Sequence, residues 1–274
     1  MGWNRMLSSY VTALEHFNEH RNTLKMSTGS ANLDSLIDSI EEGQCYLFYG
    51  NNKTILDGIA HRLLVNCVLP VREKHGFESM AMYINNVYYY YQPDKSKVLS
   101  PEKIAIVAKC AGIEPKIVFK NLYVQIAYNQ KHQLSVANQV SDFIESGRQK
   151  QKQDIRLLVV SNLTKFFKES KHKRKDYAAG ILKETLGILC KACARNRIAL
   201  VCTGDANITS RGVIPRPIGG TYLKHAINVI VYFSESSYHQ SYKATLIKHQ
   251  YSKTPKSVIF NTRKAGRMLL LDGS

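Results

Sequence analysis

Apolar runs of strand length alternate with longer stretches of helical periodicity along most of the chain. No other feature constrains the fold as much. The strand-like runs are QCYLFYG (44–50), SMAMYINNV (79–87), NLYVQIAY (121–128), DIRLLVVSN (154–162) and IALVCTGD (198–205). Between them lie ILDGIAHRLLVNCVL, SPEKIAIVAKCAG, LSVANQVSDFIESGRQ and YAAGILKETLGILCKACARN. In the first of these, apolar residues at 55, 56, 59, 60, 63 and 64 keep close to a 3.6-residue period. Such alternation predicts an α/β fold, with a mostly parallel central sheet covered by helices on both faces. Three later runs, NVIVYFS, YKATLIKH and SVIFNT, follow too closely for crossover helices, so an antiparallel extension is expected at one edge. A strand and then a helix around Ala13–Leu24 are expected at the start. STGSANLDSL (27–36) reads as a turn and a helix capped by Ser30 or Asn32. At Ser100-Pro101 only the proline is a good helix-start signal. There is no internal repeat or long linker, so one domain is expected.

In such sheets ligands gather where strands end at their carboxyl ends. The first strand runs into Gly50, Asn51, Asn52, Lys53, Thr54, Ile55, Leu56 and Asp57, which has the outline of a phosphate-binding loop. The working motif is G-x-x-x-x-G-K-[ST]: glycines free backbone N–H groups to wrap phosphates, the lysine reaches the terminal phosphates and the hydroxyl binds Mg²⁺. Counted from Gly50, those three positions hold Ile55, Leu56 and Asp57. Lys53-Thr54 comes too early, because a two-residue spacer cannot place enough N–H groups around a triphosphate. Ordinary ATP binding is therefore not expected and no cofactor is required. ATP–Mg²⁺ bound with the help of Lys53 stands as the alternative.

The chain carries 38 Lys and Arg against 21 Asp and Glu, a formal charge of +17, which attracts polyanions and puts nucleic acid first among partners. The bland reading is a basic proteome, and only the positions of the charges can decide. Six cysteines sit mostly in apolar runs, as reduced thiols of a cytosolic protein do. Cys190 and Cys193 form a lone C-x-x-C with no second pair or histidines at ligand spacing. Packing on a helix is favoured over zinc, and no metal is expected. No apolar run approaches the roughly 18 residues needed to span a membrane. MGWNRM has no signal-peptide core, so a cytoplasmic, nucleoid-associated protein without a membrane partner is expected.

Several ordered stretches then carry a resemblance. Val65 to Pro70 and Ile59-Ala60-His61 fit, without a gap, the end of the G-E-F-x-x-G-K-T-Q-I-C-H-x-L-A-V-x-x-Q-L-P stretch of RecA-like recombinases of the archaeal RadA and eukaryotic Rad type. STGSANLD (27–34), PEKI (101–104), NLYVQIAYNQKHQ (121–133), RLLVVSNLT (156–164) and RPIGGTYLKHA (216–226) match in order. The chain thus resembles that family over nearly its whole length, and the resemblance implies a RecA-like, P-loop-type ATPase core. It also puts Leu56 in the lysine position. Asn85 stands for an aspartate and Val87 for the glutamate that activates water. Ser161 stands for the Mg²⁺-linked aspartate, and Asp205 for the glutamine that senses the terminal phosphate. Losing each such group slows phosphoryl transfer by orders of magnitude, so a non-catalytic paralogue rather than an enzyme is expected.

The same resemblance implies two working surfaces. SSYVTALEH is similar to the family's F-x-T-A segment, which adds a strand to a neighbouring subunit; Tyr10 and Ala13 would dock on a RadA-type recombinase or on a second copy. Only nine residues precede Tyr10, so no helix-hairpin-helix module is expected there. Two loops that line the family's filament axis would hold DNA, preferably single-stranded. The first carries Lys168, Lys171, Lys173, Arg174 and Lys175; the second carries Arg211 and Arg216; the tail adds Arg263 and Lys264. A charge run is more often only a solvated face, but these runs fall on the loops that the resemblance aims at DNA. VYYYYQP (87–93) could stack bases, yet packing into the vacated nucleotide site is the plainer reading. The expected division is 1–26 docking segment and linker, 27–262 RecA-like core and 263–274 basic tail. The expected function is modulation of an active recombinase in homologous recombination and repair. The rivals are a DNA-independent adaptor or filament cap, and a nucleotide-binding ATPase with rearranged residues.

Overall fold

Continuous apolar runs need partners on both sides, and the fold supplies them. A computed structural model describes residues 23–71, 75–88, 99–149, 154–167, 175–207, 213–238, 240–265 and 268–271. In chain order the elements are β1 (Lys25–Met26), α1 (Ala31–Ile37), β2 (Ile40–Glu41), β3 (Cys45–Gly50), α2 (Lys53–Val68), β4 (Met80–Asn86), α3 (Pro101–Cys110) and α4 (Pro115–Lys120). There follow β5 (Leu122–Ala127), α5 (Gln130–Gln149), β6 (Ile155–Ser161), α6 (Lys175–Arg195), β7 (Ala199–Asp205), α7 (Gly220–Ala226), β8 (Val229–Glu235), β9 (Ser241–Lys248), β10 (Lys256–Ala265) and β11 (Met268–Leu271). One sheet has the order β11-β10-β9-β8-β3-β7-β6-β4-β5, and β1 pairs with β2 apart from it. From β8 to β5 neighbouring strands are parallel; β9, β10 and β11 extend the β8 side antiparallel. The α/β class and the antiparallel extension are as the alternation predicts.

Two apolar layers sandwich the sheet. On one face Tyr46, Phe48, Tyr83, Val159 and Val201 pack with Leu36 of α1, Ile55, Ile59 and Leu63 of α2, Ile104 and Val107 of α3 and Val118 of α4. On the other, Leu47, Tyr49, Ile84, Val160 and Leu200 pack with Val136 and Val140 of α5, Leu186 and Leu189 of α6 and Leu223 of α7. Every residue of β3 is buried, so its sequence shows no alternation.

Local chemistry departs from expectation in several places. Thr23 and Leu24 are irregular and lead into β1, so no helix reaches Leu24; residues 13–22 lie outside the described part. Ser30 occupies the N-cap of α1 but makes no side-chain cap bond, and Asn32 donates to the carbonyl of Ile259 at 2.7 Å. Asp34 instead folds back, accepting from the Thr28 N–H at 2.7 Å and the Ser27 hydroxyl at 2.5 Å, which holds the turn before α1. Ser100 does cap α3, accepting from the Lys103 N–H at 3.4 Å, beside the proline. Helix α4 is too short for its period to show in sequence. The sheet runs past residue 262, since β10 continues to Ala265 and turns into β11. No described helix is long and apolar enough to cross a membrane.

Candidate functional site

Parallel register lines up the carboxyl ends of the central strands. Gly50 lies beside Asp205 across β3 and β7, and Ser161 lies beside Asn85 across β6 and β4. Val87 follows β4 directly, its N–H donating to the Ala127 carbonyl at 2.9 Å. The positions singled out in sequence at Gly50, Val87, Ser161 and Asp205 therefore share one edge of the sheet. Ser161 and Asp205 are buried there.

The connection from β3 to α2 is two residues, Asn51 and Asn52. Helix starts at Lys53, so the stretch where the phosphate motif has its loop is already helical. Asn52 is the N-cap: its side-chain oxygen accepts from the Ile55 N–H at 3.2 Å. Its amide donates to the Glu235 carboxylate at 2.7 Å. One of the N–H groups that a phosphate would use is thus taken by the chain itself. Lys53 and Thr54 are exposed in the first turn, while Ile55 and Leu56 are turned into the core. Gly50 serves strand packing. A Cβ there would lie 2.4 Å from the Phe233 carbonyl oxygen of β8. An open cleft of about 560 Å³ remains, lined by Asn51, Asn52, Lys53 and Tyr232 to Glu235. It presents one ammonium and one carboxylate, the latter already bound by Asn52.

Beneath this edge is a buried polar nest. Burial pushes the Asp57 carboxyl up to about 6, against the opposing pull of Lys103, Lys53 and Lys165. Burial lowers His61 to about 4, although its Nδ1 contacts the Asp57 carbonyl. That contact assigns the ring proton to Nδ1, leaving Nε2 an acceptor with no partner among the described residues. Burial, with Asp57 nearby, raises the Tyr83 phenol, and the Ser161 side chain opposes that rise. Asn86 donates to the Ser161 carbonyl at 2.8 Å, while both side-chain polar atoms of Asn85 lack partners among the described residues. Lys103 joins this nest from α3. Nothing in its local sequence distinguishes it from any first-turn lysine, and only packing brings it to Asp57.

Of the nucleic-acid residues, Lys168, Lys171, Lys173, Arg174 and Arg211 lie outside the described residues, as do Tyr10 and Ala13. Lys175 opens α6, and Arg263 and Lys264 belong to β10; their side chains are not described. Arg216 is exposed. The ends of its loop are pinned beside β3 and β7: the Asn207 N–H donates to the Arg216 carbonyl at 2.8 Å, the Ile218 N–H to the Asp205 carbonyl at 3.0 Å and the Tyr49 hydroxyl to the Pro215 carbonyl at 2.8 Å. The root of the other loop is the 3-10 turn Lys165–Phe167. Tyr88 packs edge-on to Phe166 at 5.2 Å between ring centres, donates to the Lys165 carbonyl at 3.2 Å and lies under the Lys165 ammonium. Tyr88 is thus packed against the root of this loop; Tyr89 to Tyr91 are outside the described residues. Among the described residues no three His, Cys, Asp or Glu side chains are grouped to hold a metal ion.

A family model described as Rad51 matches residues 19–247. The chain is 29% identical over 236 residues to the DNA repair and recombination protein RadA of Aeropyrum pernix, covering 83% of this chain and 68% of that protein. It is 28% identical over 232 residues to the DNA repair protein RAD51 of Mycosarcoma maydis, covering 81% of this chain and 64% of that protein. The chain therefore spans about two thirds of the length of these relatives.

Proposed function

Since this chain belongs to the Rad51 family, we propose that it acts in homologous recombination and DNA repair as a non-catalytic paralogue that binds single-stranded DNA and modulates an active recombinase. The observation that carries the reading is the β3–α2 connection. Two residues replace a phosphate loop, Asn52 caps the helix that would face the phosphates, and Leu56 is 4% exposed where the family's lysine would stand. ATP would have no cradle there, Ser161 brings no carboxylate to hold Mg²⁺, and Val87 has no polar group with which to activate water. The formal charge of +17 supports a polyanionic partner. The exposed Arg216, on a loop rooted at the ends of β3 and β7, gives that charge a place. Phosphate contacts by Lys and Arg would make binding salt-sensitive and weakly dependent on sequence. Docking would run through Tyr10 and Ala13 on a recombinase subunit or a second copy.

The test is binding to labelled single- and double-stranded DNA over a salt series, with and without ATP–Mg²⁺. Salt-sensitive binding that prefers single strands and ignores ATP is the expected result. Binding only with ATP would overturn the non-catalytic reading. No binding at moderate salt would favour the DNA-independent adaptor, for which the exposed Val124 of edge strand β5 and the exposed Ile117 and Phe119 of α4 offer apolar contacts.

A further inference from the structure

Outside the edge just described, the described residues bring several thiols together. Cys45 opens β3, Cys190 and Cys193 sit three residues apart on one face of α6, and Cys202 lies on β7. The Cys45 and Cys190 sulfurs are 3.3 Å apart, although 145 positions separate them in sequence. That is already inside the contact distance of two unbonded sulfurs, and a disulfide needs only a further approach to about 2.05 Å. Cys190 is half-buried and so reachable by a small molecule; Cys45, Cys193 and Cys202 are buried.

We propose that Cys45 and Cys190 form a redox-sensitive modification site that closes to a disulfide, fastening helix α6 to the central strand β3. The oxidant class is a small peroxide. The Cys190 thiolate attacks one peroxide oxygen; the O–O bond breaks, and the leaving hydroxide is protonated to water, with Cys190 left as a sulfenic acid. The Cys45 sulfur then displaces that oxygen, the S–S bond forms, and its thiol proton leaves with the departing hydroxide as a second water. Two thiols lose two electrons, and the peroxide gains them. The order of attack follows from the site. The hydrogen bond to Cys190, then burial, hold the Cys45 thiol well above its ordinary range, so the accessible Cys190 reacts first.

The test uses the full chain, treated with hydrogen peroxide, denatured, alkylated and mapped by mass spectrometry. The untreated chain should take up six alkyl groups, one per cysteine, and the treated chain two fewer, with the missing pair recovered as a Cys45–Cys190 peptide. Cys190→Ser and Cys45→Ser should each abolish that peptide. The cross-link closes a very long loop, so the oxidised wild type should melt about 5 °C or more above the reduced form. Cys190→Ser should show no such rise, and this readout stands even if Cys45→Ser folds poorly. A disulfide between Cys190 and Cys193 would overturn the assignment. So would a chain in which the exposed Cys110 oxidises while Cys45 and Cys190 both stay alkylatable.

Discussion

Replacing Gly50 by alanine separates two roles that a glycine at this place can have. In a phosphate loop it frees backbone N–H groups for the ligand, and its loss would weaken nucleotide binding alone. In this fold an added Cβ meets the Phe233 carbonyl oxygen at 2.4 Å and its carbon at 3.3 Å, where real Cβ contacts stay beyond 3.0 Å. Both obstacles are backbone, held in register because Gly50 pairs with Phe233 across β3 and β8. Phe233 is itself packed against Phe48 at 5.4 Å and Phe260 at 6.0 Å. No flexible side chain can yield, so the two strands must part by at least about 0.6 Å. Overpacking of this kind costs about 1–3 kcal/mol, and the upper end applies where both partners are backbone. For a chain of this size that lowers Tm by roughly 6–12 °C. Thermal and urea unfolding of Gly50→Ala, each with and without ATP–Mg²⁺, measures it. A melting temperature within about 1 °C of wild type would refute the packing argument. A defect confined to nucleotide-dependent stabilisation would return Gly50 to a phosphate role.

The other predictions concern the same edge. Leu56→Lys restores the motif's lysine in name, but it exchanges a core leucine for a buried ammonium and should cost about 3–6 kcal/mol, with no ATP-dependent rise in Tm; such a rise would mean that the loop can reorganise. Asn52→Ala removes the cap of α2 and a partner of Glu235, and urea unfolding should show a loss of about 1 kcal/mol. Asp57 has its folded pKa raised from 3.8 to about 6, so its favourable contribution is lost as pH climbs through that window. His61 has its folded pKa lowered from 6.5 to about 4, so its contribution is lost as pH falls through the corresponding one. Each is worth at most about 3 kcal/mol and the two oppose, so wild-type stability should be nearly flat from pH 4 to 6. Asp57→Asn should then lose stability on acidification and His61→Gln should gain it; unchanged slopes in melts across this range would sink the assignment. Arg216→Ala should lower the salt slope of DNA binding by about one, and an unchanged slope would remove that residue from the interface.

Legibility in the sequence followed the range of the interaction. Burial on both faces leaves continuous apolar runs, so the parallel core of β3, β4, β6 and β7 could be read directly, and so could the closely spaced strands at the far edge. Crossover connections put strand ends on one side, so Gly50, Val87, Ser161 and Asp205 could be grouped before their register was known. The shortness of the β3–α2 spacer was legible too, since Lys53 follows Gly50 after only two residues.

What depended on tertiary structure was each contact made between distant segments. The backward turn of Asp34 and the reach of Asn32 to Ile259 displaced the caps read from local pattern. Lys103 came to Asp57 through the packing of α3 on α2, and Glu235 to Asn52 through the pairing of β8 with β3. Gly50 resembled a phosphate-loop glycine until Phe233 was placed beside it, and Cys190 resembled half of a C-x-x-C until β3 put Cys45 against it. The sequence determined the kind of fold and which edge of it matters, because periodicity and crossover rules act over one or two elements. Which atoms meet at that edge was decided by the sheet order, because strand pairing joins residues that no local pattern relates.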